Sequence, residues 1–377
     1  MYFLTEKDPN YTIKGSRDPL GFQVIWQAAG RKLIPHLSTV SNNIVDFQII
    51  CLAYTIKKEL NIEDKDFEPF FIRFEQMMAY TRFKNKSDKE RGFNGVDKVR
   101  KIMTTMPSSI KVSTEDQILS NQKAYGIWGK YNRPFTDMHI TKLNTFDAIY
   151  SEKFKSNTTL NKQVNSILKK ETRLKMDLLE SFGAALEKPL LEEKELFIKT
   201  VLQDTCNQEL LLIFNKNQDW KKLSFYELID YLIKNSTNEN FKAILRYIIQ
   251  NEKTISPLNR IFRYLQTKSY WKNEDIEQDD FISNCRNAID TTGFDDTLRS
   301  LALLHSATNL DLVKGIVIRN ETICNSRNSS PWMELTEKGV DVNHFEGALY
   351  NLDYQPEVNN DNTYFLWSFI SLYNQLN

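Results

Sequence analysis

The chain has 377 residues, 49 Lys and Arg against 49 Asp and Glu, and 41% hydrophobic side chains. That length exceeds one ordinary helical core and predicts two or three packed subdomains, and the composition excludes a disordered or fibrous chain. A formal net charge of zero excludes a global field that would draw the whole molecule onto nucleic acid or an anionic membrane, so any such contact must be local.

The opening stretch, residues 15–47, sets Gly15, Pro19, Gly21, Gly30 and Pro35 among aromatic and apolar residues. Glycines free the backbone at turns and prolines remove that freedom elsewhere, which predicts a rigid knot letting Phe22, Ile25 and Trp26 pack beneath the following helix. Arg17, Asp18, Arg31 and His36 within it have the residue types of an oxyanion site, but "SRDPLGF" equally suits a turn, and neither GxxxxGK[ST] nor GxGxxG occurs.

From Asn42 to Leu60 apolar residues recur at helical spacing behind a Ser/Asn cap, and a second helix is expected at 66–83, rich in Phe. Residues 84–101 read as a basic linker entering a short helix, and "GIWGKYNRPF" at 126–135 as a tight packed connection. Residues 153–175 are again basic. Amphipathic helices are expected at Leu160–Lys170, Arg173–Leu186, Glu192–Leu202, Glu209–Phe214, Phe225–Lys234, Asn240–Gln250 and Ile255–Thr267, with Ser224 and Glu227 forming a capping box. An acidic patch covers 274–296. A helix follows at 296–309, a further segment at 311–319, then a hairpin around Lys338-Gly339, and a last apolar helix ends the sequence.

This order predicts a mainly α fold. It comprises multi-helical N-terminal (1–150) and middle (151–272) domains and a winged-helix-like C-terminal region (273–377) containing a short β-hairpin. The first 21 residues hold no basic leader followed by an apolar block, and no later run approaches the length of a membrane span, so a cytoplasmic address without membrane contact is expected. Cys51, Cys206, Cys285 and Cys324 are widely spaced without a CxxC pair, which points to reduced thiols, with Cys51 the best candidate for burial.

Basic stretches interleaved with Phe83, Phe93 and Phe154 suit phosphate neutralisation combined with stacking. The candidate nucleic-acid contacts are Arg82, Lys84, Lys86, Lys98, Arg100 and Lys101 in the first stretch, Lys162, Lys169, Lys170, Arg173 and Lys175 in the second, and Lys338 at the hairpin. Solvated helix faces have the same composition. Asp279, Asp280, Asp295 and Asp296 could face a hard cation, but an acidic surface explains them as well, and no cofactor or metal is implied. HExxH and GxSxG are absent.

Three histidines follow an arginine at short spacing: Arg31/His36, Arg133/His139 and Arg299/His305. The spacing resembles the motif of HEPN ribonucleases, in which histidine moves a proton and the guanidinium stabilises phosphorane charge. Pro35 and Pro134 interrupt the first two pairs, which leaves Arg299 and His305 as the catalytic alternative.

The run "RDPLGFQVIWQAAGRKLIPHLSTVSNNIVDFQIICLAY", with "YGIWGKYNRPF" and "SPWMEL", resembles uncharacterised bacterial proteins encoded beside helicase and nuclease genes in anti-phage defence loci. The resemblance implies a setting, a non-enzymatic subunit contacting DNA, RNA or a partner nuclease or helicase, and carries no catalytic residues with it.

Overall fold

The computed structural model describes residues 18–85, 92–140, 144–168, 171–175, 190–203, 207–343 and 353–377. It is mainly helical with two small antiparallel sheets. The chain separates into two compact units, Met1–Leu33 with Glu209–Tyr364, and Ile34–Gln208 with Phe365–Asn377. The boundaries expected at 150 and 272 are sequential, whereas each of these units joins two stretches distant in sequence, a pairing that local patterning does not encode.

In chain order the helices of the first half are α1 (Phe22–Leu33), α2 (Ile44–Glu59), α3 (Asp64–Asn85), α4 (Val96–Met103), α5 (Gln122–Tyr125), α6 (Ile127–Asp137), α7 (Asn144–Ser156), α8 (Thr158–Ile167) and α9 (Leu191–Phe197). Strands β1 (Ser109–Ser113) and β2 (Glu171–Lys175) pair antiparallel. Those of the second half are α10 (Gln208–Lys216), α11 (Phe225–Asn235), α12 (Glu239–Leu265), α13 (Asn273–Glu277), α14 (Asp280–Asn284), α15 (Asp296–Leu304), α16 (Asn309–Ser326) and α17 (Leu366–Leu376). Strands β3 (Tyr270–Lys272), β4 (Met333–Leu335) and β5 (Gly339–Val342) form a sheet of order β3-β5-β4.

The unit built on α2 and α3 buries Phe47, Phe70, Phe71, Phe74, Tyr131, Phe135 and Tyr150. Asn43 caps α2 by accepting from Val45 N at 2.9 Å, and Gln375 of α17 accepts from Ile44 N at 2.9 Å, so the last helix closes the start of α2. Glu193, fully buried, accepts from Gln48 Nε2 at 2.9 Å and from the Tyr150 hydroxyl, and pairs with Lys153 at 2.6 Å. The stretch "IWGKYNRPF", expected as a connection, is helix α6 with Pro134 inside it. Expected helix Arg173–Leu186 begins as strand β2: Ile110, Val112 and Leu174 alternate inward across the ladder, and pairing with β1 overrides the helical spacing. Residues 176–186 of that expectation, and Cys206, lie outside the described residues.

In the other unit, α12 runs through the two helices expected at 240–250 and 255–267, with Pro257 inside. Its core gathers Leu258, Ile261, Phe262, Trp271, Leu312, Val313, Ile316 and Met333 together with Leu20 and Phe22. The opening segment docks there rather than under residues 42–60. Asp18 Oδ1 accepts from Phe22 N at 2.9 Å, which starts α1, while Arg319 Nε donates to Leu20 O at 2.7 Å and Asn320 Nδ2 to Pro19 O at 3.0 Å. Gly21 has φ +66°, and a Cβ there would stand 2.7 Å from Ile323 Cδ1, so this turn requires glycine for both backbone and space. Arg17 lies outside the described residues. The capping box is present, Ser224 N donating to Glu227 Oε2 at 2.8 Å. Cys51, Cys285 and Cys324 are buried free thiols.

Glu252 of α12, fully buried, anchors the stretch leading to α17. It accepts from Asp361 N at 2.6 Å, Asn362 N at 3.1 Å, Asn362 Nδ2 at 2.9 Å and the Tyr364 hydroxyl at 2.7 Å. Burial raises the Glu252 carboxyl pKa, while these donors oppose that rise. Among the described residues no helix is long and apolar enough to cross a membrane.

Candidate nucleic-acid interface

The structure sorts the basic residues into three groups. Arg82 is buried, its Nη1 2.7 Å from Asp46 Oδ1, and its guanidinium lies 5.0 Å from the Phe93 ring centroid. A charge so placed neutralises its carboxylate partner and is closed to phosphate. Lys98 pairs with Asp116 at 2.6 Å and donates to Gln117 O at 2.6 Å, and Arg100 pairs with Asp97 at 2.7 Å one turn away on α4. Both are exposed pairs whose cations can exchange an exposed acid for another anion at small cost. Lys101 and Lys162 are exposed on α4 and α8, and Lys84 is half-buried at the end of α3. Lys86, Lys169 and Lys170 lie outside the described residues.

The third group is brought together by a register invisible to helical spacing. In the β1/β2 ladder Ile110 faces Leu174, whereas Lys111 faces Arg173 and Ser109 faces Lys175. Ile110, Val112 and Leu174 are buried, while Lys111, Arg173 and Lys175 are exposed, so the period of two sorts core and cations onto opposite sides. Lys111 and Arg173 thus place like charges directly opposite each other on the exposed side of the ladder. Lys111 was no candidate in the sequence; its strand partner, 62 positions on by the register Lys111↔Arg173, is the signal that one-dimensional charge counting lacks.

The ladder is held from beneath by α3. Gln76 donates through Nε2 to Ser113 O at 2.7 Å and accepts from Ser113 N at 3.0 Å, which copies the pairing of a further strand residue. Arg73 Nε donates to Ile167 O at 2.5 Å, closing the C-terminal end of α8 just before β2. Both sides of the ladder are therefore tied to one helix.

The hairpin carrying Lys338 is different in charge. Lys338 is exposed at its tip, but Glu334, Glu337 and Asp341 are exposed beside it, and the exposed positions of α16 include Asp311 and Glu321. Arg319 and Arg327 of this region are engaged by the opening segment, Arg327 Nη2 lying 3.2 Å from Asp18 Oδ2. Beneath α13 and α14 lies an open cleft of about 1070 Å³, walled by Asp275, Asp279, Asp280 and Glu357 over Tyr264 and Trp271. Tyr264 donates to Asp279 Oδ2 at 2.9 Å, and burial with that carboxylate raises the phenol's pKa. Lys268 Nζ sits 4.0 Å from the Trp271 ring centroid. Among the described residues no group of three His, Cys, Asp or Glu is placed to hold a metal ion.

No family model, curated protein or solved structure matches the chain.

Arg299 and His305 are not brought together. Arg299 is tied to the first turn of α15, pairing with Asp296 at 3.1 Å and donating to Phe294 O at 2.9 Å. His305 ends the same helix, six residues and about 600° of rotation later, buried at 5% exposure. Its Nδ1 accepts from Asn287 N at 3.2 Å and its Nε2 donates to Thr254 O at 2.9 Å, so both ring nitrogens are used. Burial, the largest effect, lowers its pKa. Of the other histidines, His36 is also shifted down, chiefly by burial, with Asp137 opposing and His139 assisting that shift.

Proposed function

We propose that this chain is a non-enzymatic binding subunit of a bacterial anti-phage defence complex, and that it contacts nucleic acid through the β1/β2 ladder. The observation that carries this reading is Lys111 opposite Arg173, with Lys175 beside them, exposed on a strand pair whose other side is core. Three cations within one short ladder neutralise neighbouring phosphates without reading bases, so the contact is to backbone and insensitive to sequence.

The last third supports a winged-helix reading by topology. Helix α12, strand β3, helices α15 and α16, and hairpin β4/β5 follow in that order, with β5 central in the sheet. Its acidic exposed face and the acidic cleft favour a basic protein surface as its partner over a phosphate backbone. In this reading the β1/β2 ladder contacts nucleic acid, and the acidic surface of the last third contacts a partner nuclease or helicase. Arg299 and His305 remain the catalytic alternative; no distance in the site favours it.

The test is binding of single- and double-stranded DNA and RNA oligonucleotides across a salt series. The proposal expects affinity that falls as salt rises, with a log–log slope of about −2 to −3 for three phosphate contacts. Absence of any binding at low salt eliminates it.

A further inference from the structure

Glu75 of α3 is 3% exposed and accepts from Ile127 N, the first residue of α6, at 2.8 Å and from Gln122 Nε2 at 3.0 Å. A Cβ on Gly126 would lie 2.6 and 2.7 Å from its two oxygens, so the carboxylate is wedged against this turn. Gln122, wholly buried, donates also to Ile72 O at 2.8 Å, and its Oε1 accepts from Gln76 Nε2 at 3.2 Å and Ile118 N at 3.3 Å. Gln76 in turn holds both backbone groups of Ser113, the end of β1. One carboxylate thus lies two amide side chains away from the strand that presents Lys111.

An ionised carboxylate only accepts, so it fixes the Gln122 amide with its NH₂ toward Glu75 and its oxygen toward Gln76 and Ile118. That orientation fixes Gln76, and Gln76 fixes Ser113. A proton on Glu75 removes the charge that strengthens both bonds, and where its O–H points along either of them it sets donor against donor at Gln122 or at Ile127. Flipping the Gln122 amide relieves the conflict there only by facing Gln76 and Ile118 with a second donor. The void beside Glu75, about 10 Å³, is at the lower limit for one water, so the proton gains no ready acceptor.

We propose that the chain of hydrogen bonds from Glu75 through Gln122 and Gln76 to Ser113 is a proton-controlled hold on β1, fixed by the carboxylate and loosened by the carboxyl. The consequence for binding rests on reading the β1/β2 ladder as the phosphate surface; the hold itself does not. The groups facing Glu75 are Asp46 on α2, which favours the proton, and Arg82 on α3, which opposes it; Lys130 on α6 is also coupled to it. Burial outweighs them and pushes the Glu75 carboxyl up to about 7, which places the change near neutral pH.

The experiment is amide hydrogen exchange of residues 110–113 at pH 6 and pH 8, corrected for intrinsic exchange. Wild type is expected to lose about threefold to tenfold protection at the lower pH, roughly one hydrogen bond's net contribution. Glu75→Gln, whose amide supplies a donor at every pH, is expected to show the low protection at both. Gln122→Ala keeps the titrating carboxyl but cuts the relay, so β1 protection becomes pH-independent while global stability still responds to pH. Equal corrected protection in wild type at both pH values overturns the proposal, as does an unchanged pH response in Gln122→Ala. Oligonucleotide binding by Arg173→Glu tests the ladder separately, and its failure leaves the exchange result standing.

Discussion

Asn287 supplies the hydrogen that Pro257 lacks. A proline inside a helix leaves the carbonyl four residues before it without a donor, here Lys253 O, and Asn287 Nδ2 donates to that oxygen at 3.0 Å. His305 serves the adjacent carbonyl, Thr254 O, and holds Asn287 N through its other nitrogen. The histidine most suggestive of catalysis in the sequence thus sits in a clamp that lets α12 run continuously through a proline. Asn287→Ala is expected to cost about 1 kcal/mol in urea unfolding, as a part-buried acceptor loses its partner. In a Pro257→Ala background, where the backbone regains its own donor, the same substitution is expected to cost clearly less; equal costs in both backgrounds contradict the clamp.

Two of the buried titratable groups, Glu75 and His305, predict opposite pH dependences. Glu75 has a folded-state pKa raised from 4.5 to about 7, so its contribution is fully present below pH 4.5 and lost as pH rises through 7, a cost of up to about 3 kcal/mol. Glu75→Gln should therefore flatten the alkaline side of the stability profile. His305 has its pKa lowered from 6.5, so its contribution is present above that value and lost as pH falls through the lowered one. His305→Gln should flatten the acid side. Unchanged profiles in these variants would remove the assigned roles.

Arg82 and Arg173 look alike in the sequence and are expected to behave differently. Arg82→Ala leaves Asp46 buried without its partner and should cost about 3–5 kcal/mol of stability. Arg173→Ala, exposed on β2, should leave the melting temperature near wild type and weaken oligonucleotide binding. Thermal melts alongside binding isotherms distinguish them.

Gly21→Ala tests the docking of the opening segment on α16. The positive φ and the approach to Ile323 predict a loss of about 1–2 kcal/mol, read from chemical denaturation. Trp26→Ala should cost less than a fully buried ring would, because Trp26 is half-buried and meets Tyr364 edge-on at 6.2 Å.

Local signals in the sequence were legible where local chemistry decides the outcome. The capping box of Ser224 and Glu227, the Asn43 cap of α2 and the hairpin around Lys338-Gly339 all follow from neighbours within a few positions. The break expected near residue 250 failed because Asn287, from a distant loop, satisfies what Pro257 leaves open. Arg173 was read as helical because its strand partner Lys111 lies far back in the chain, and Arg82 was read as surface because Asp46 is 36 positions away. The candidate site was therefore half visible. Its charges could be counted, but which were buried, paired or opposed across a ladder depends on register and tertiary contact.

The most direct measurement of the central claim is fluorescence-anisotropy titration of a labelled oligonucleotide with wild type and the Lys111→Glu/Arg173→Glu/Lys175→Glu variant across a salt series. The account predicts that charge reversal lowers affinity at least about tenfold at low salt and reduces the magnitude of the log–log salt slope by about 2–3, with the melting temperature retained. Wild-type affinity and slope in the reversed variant would contradict it.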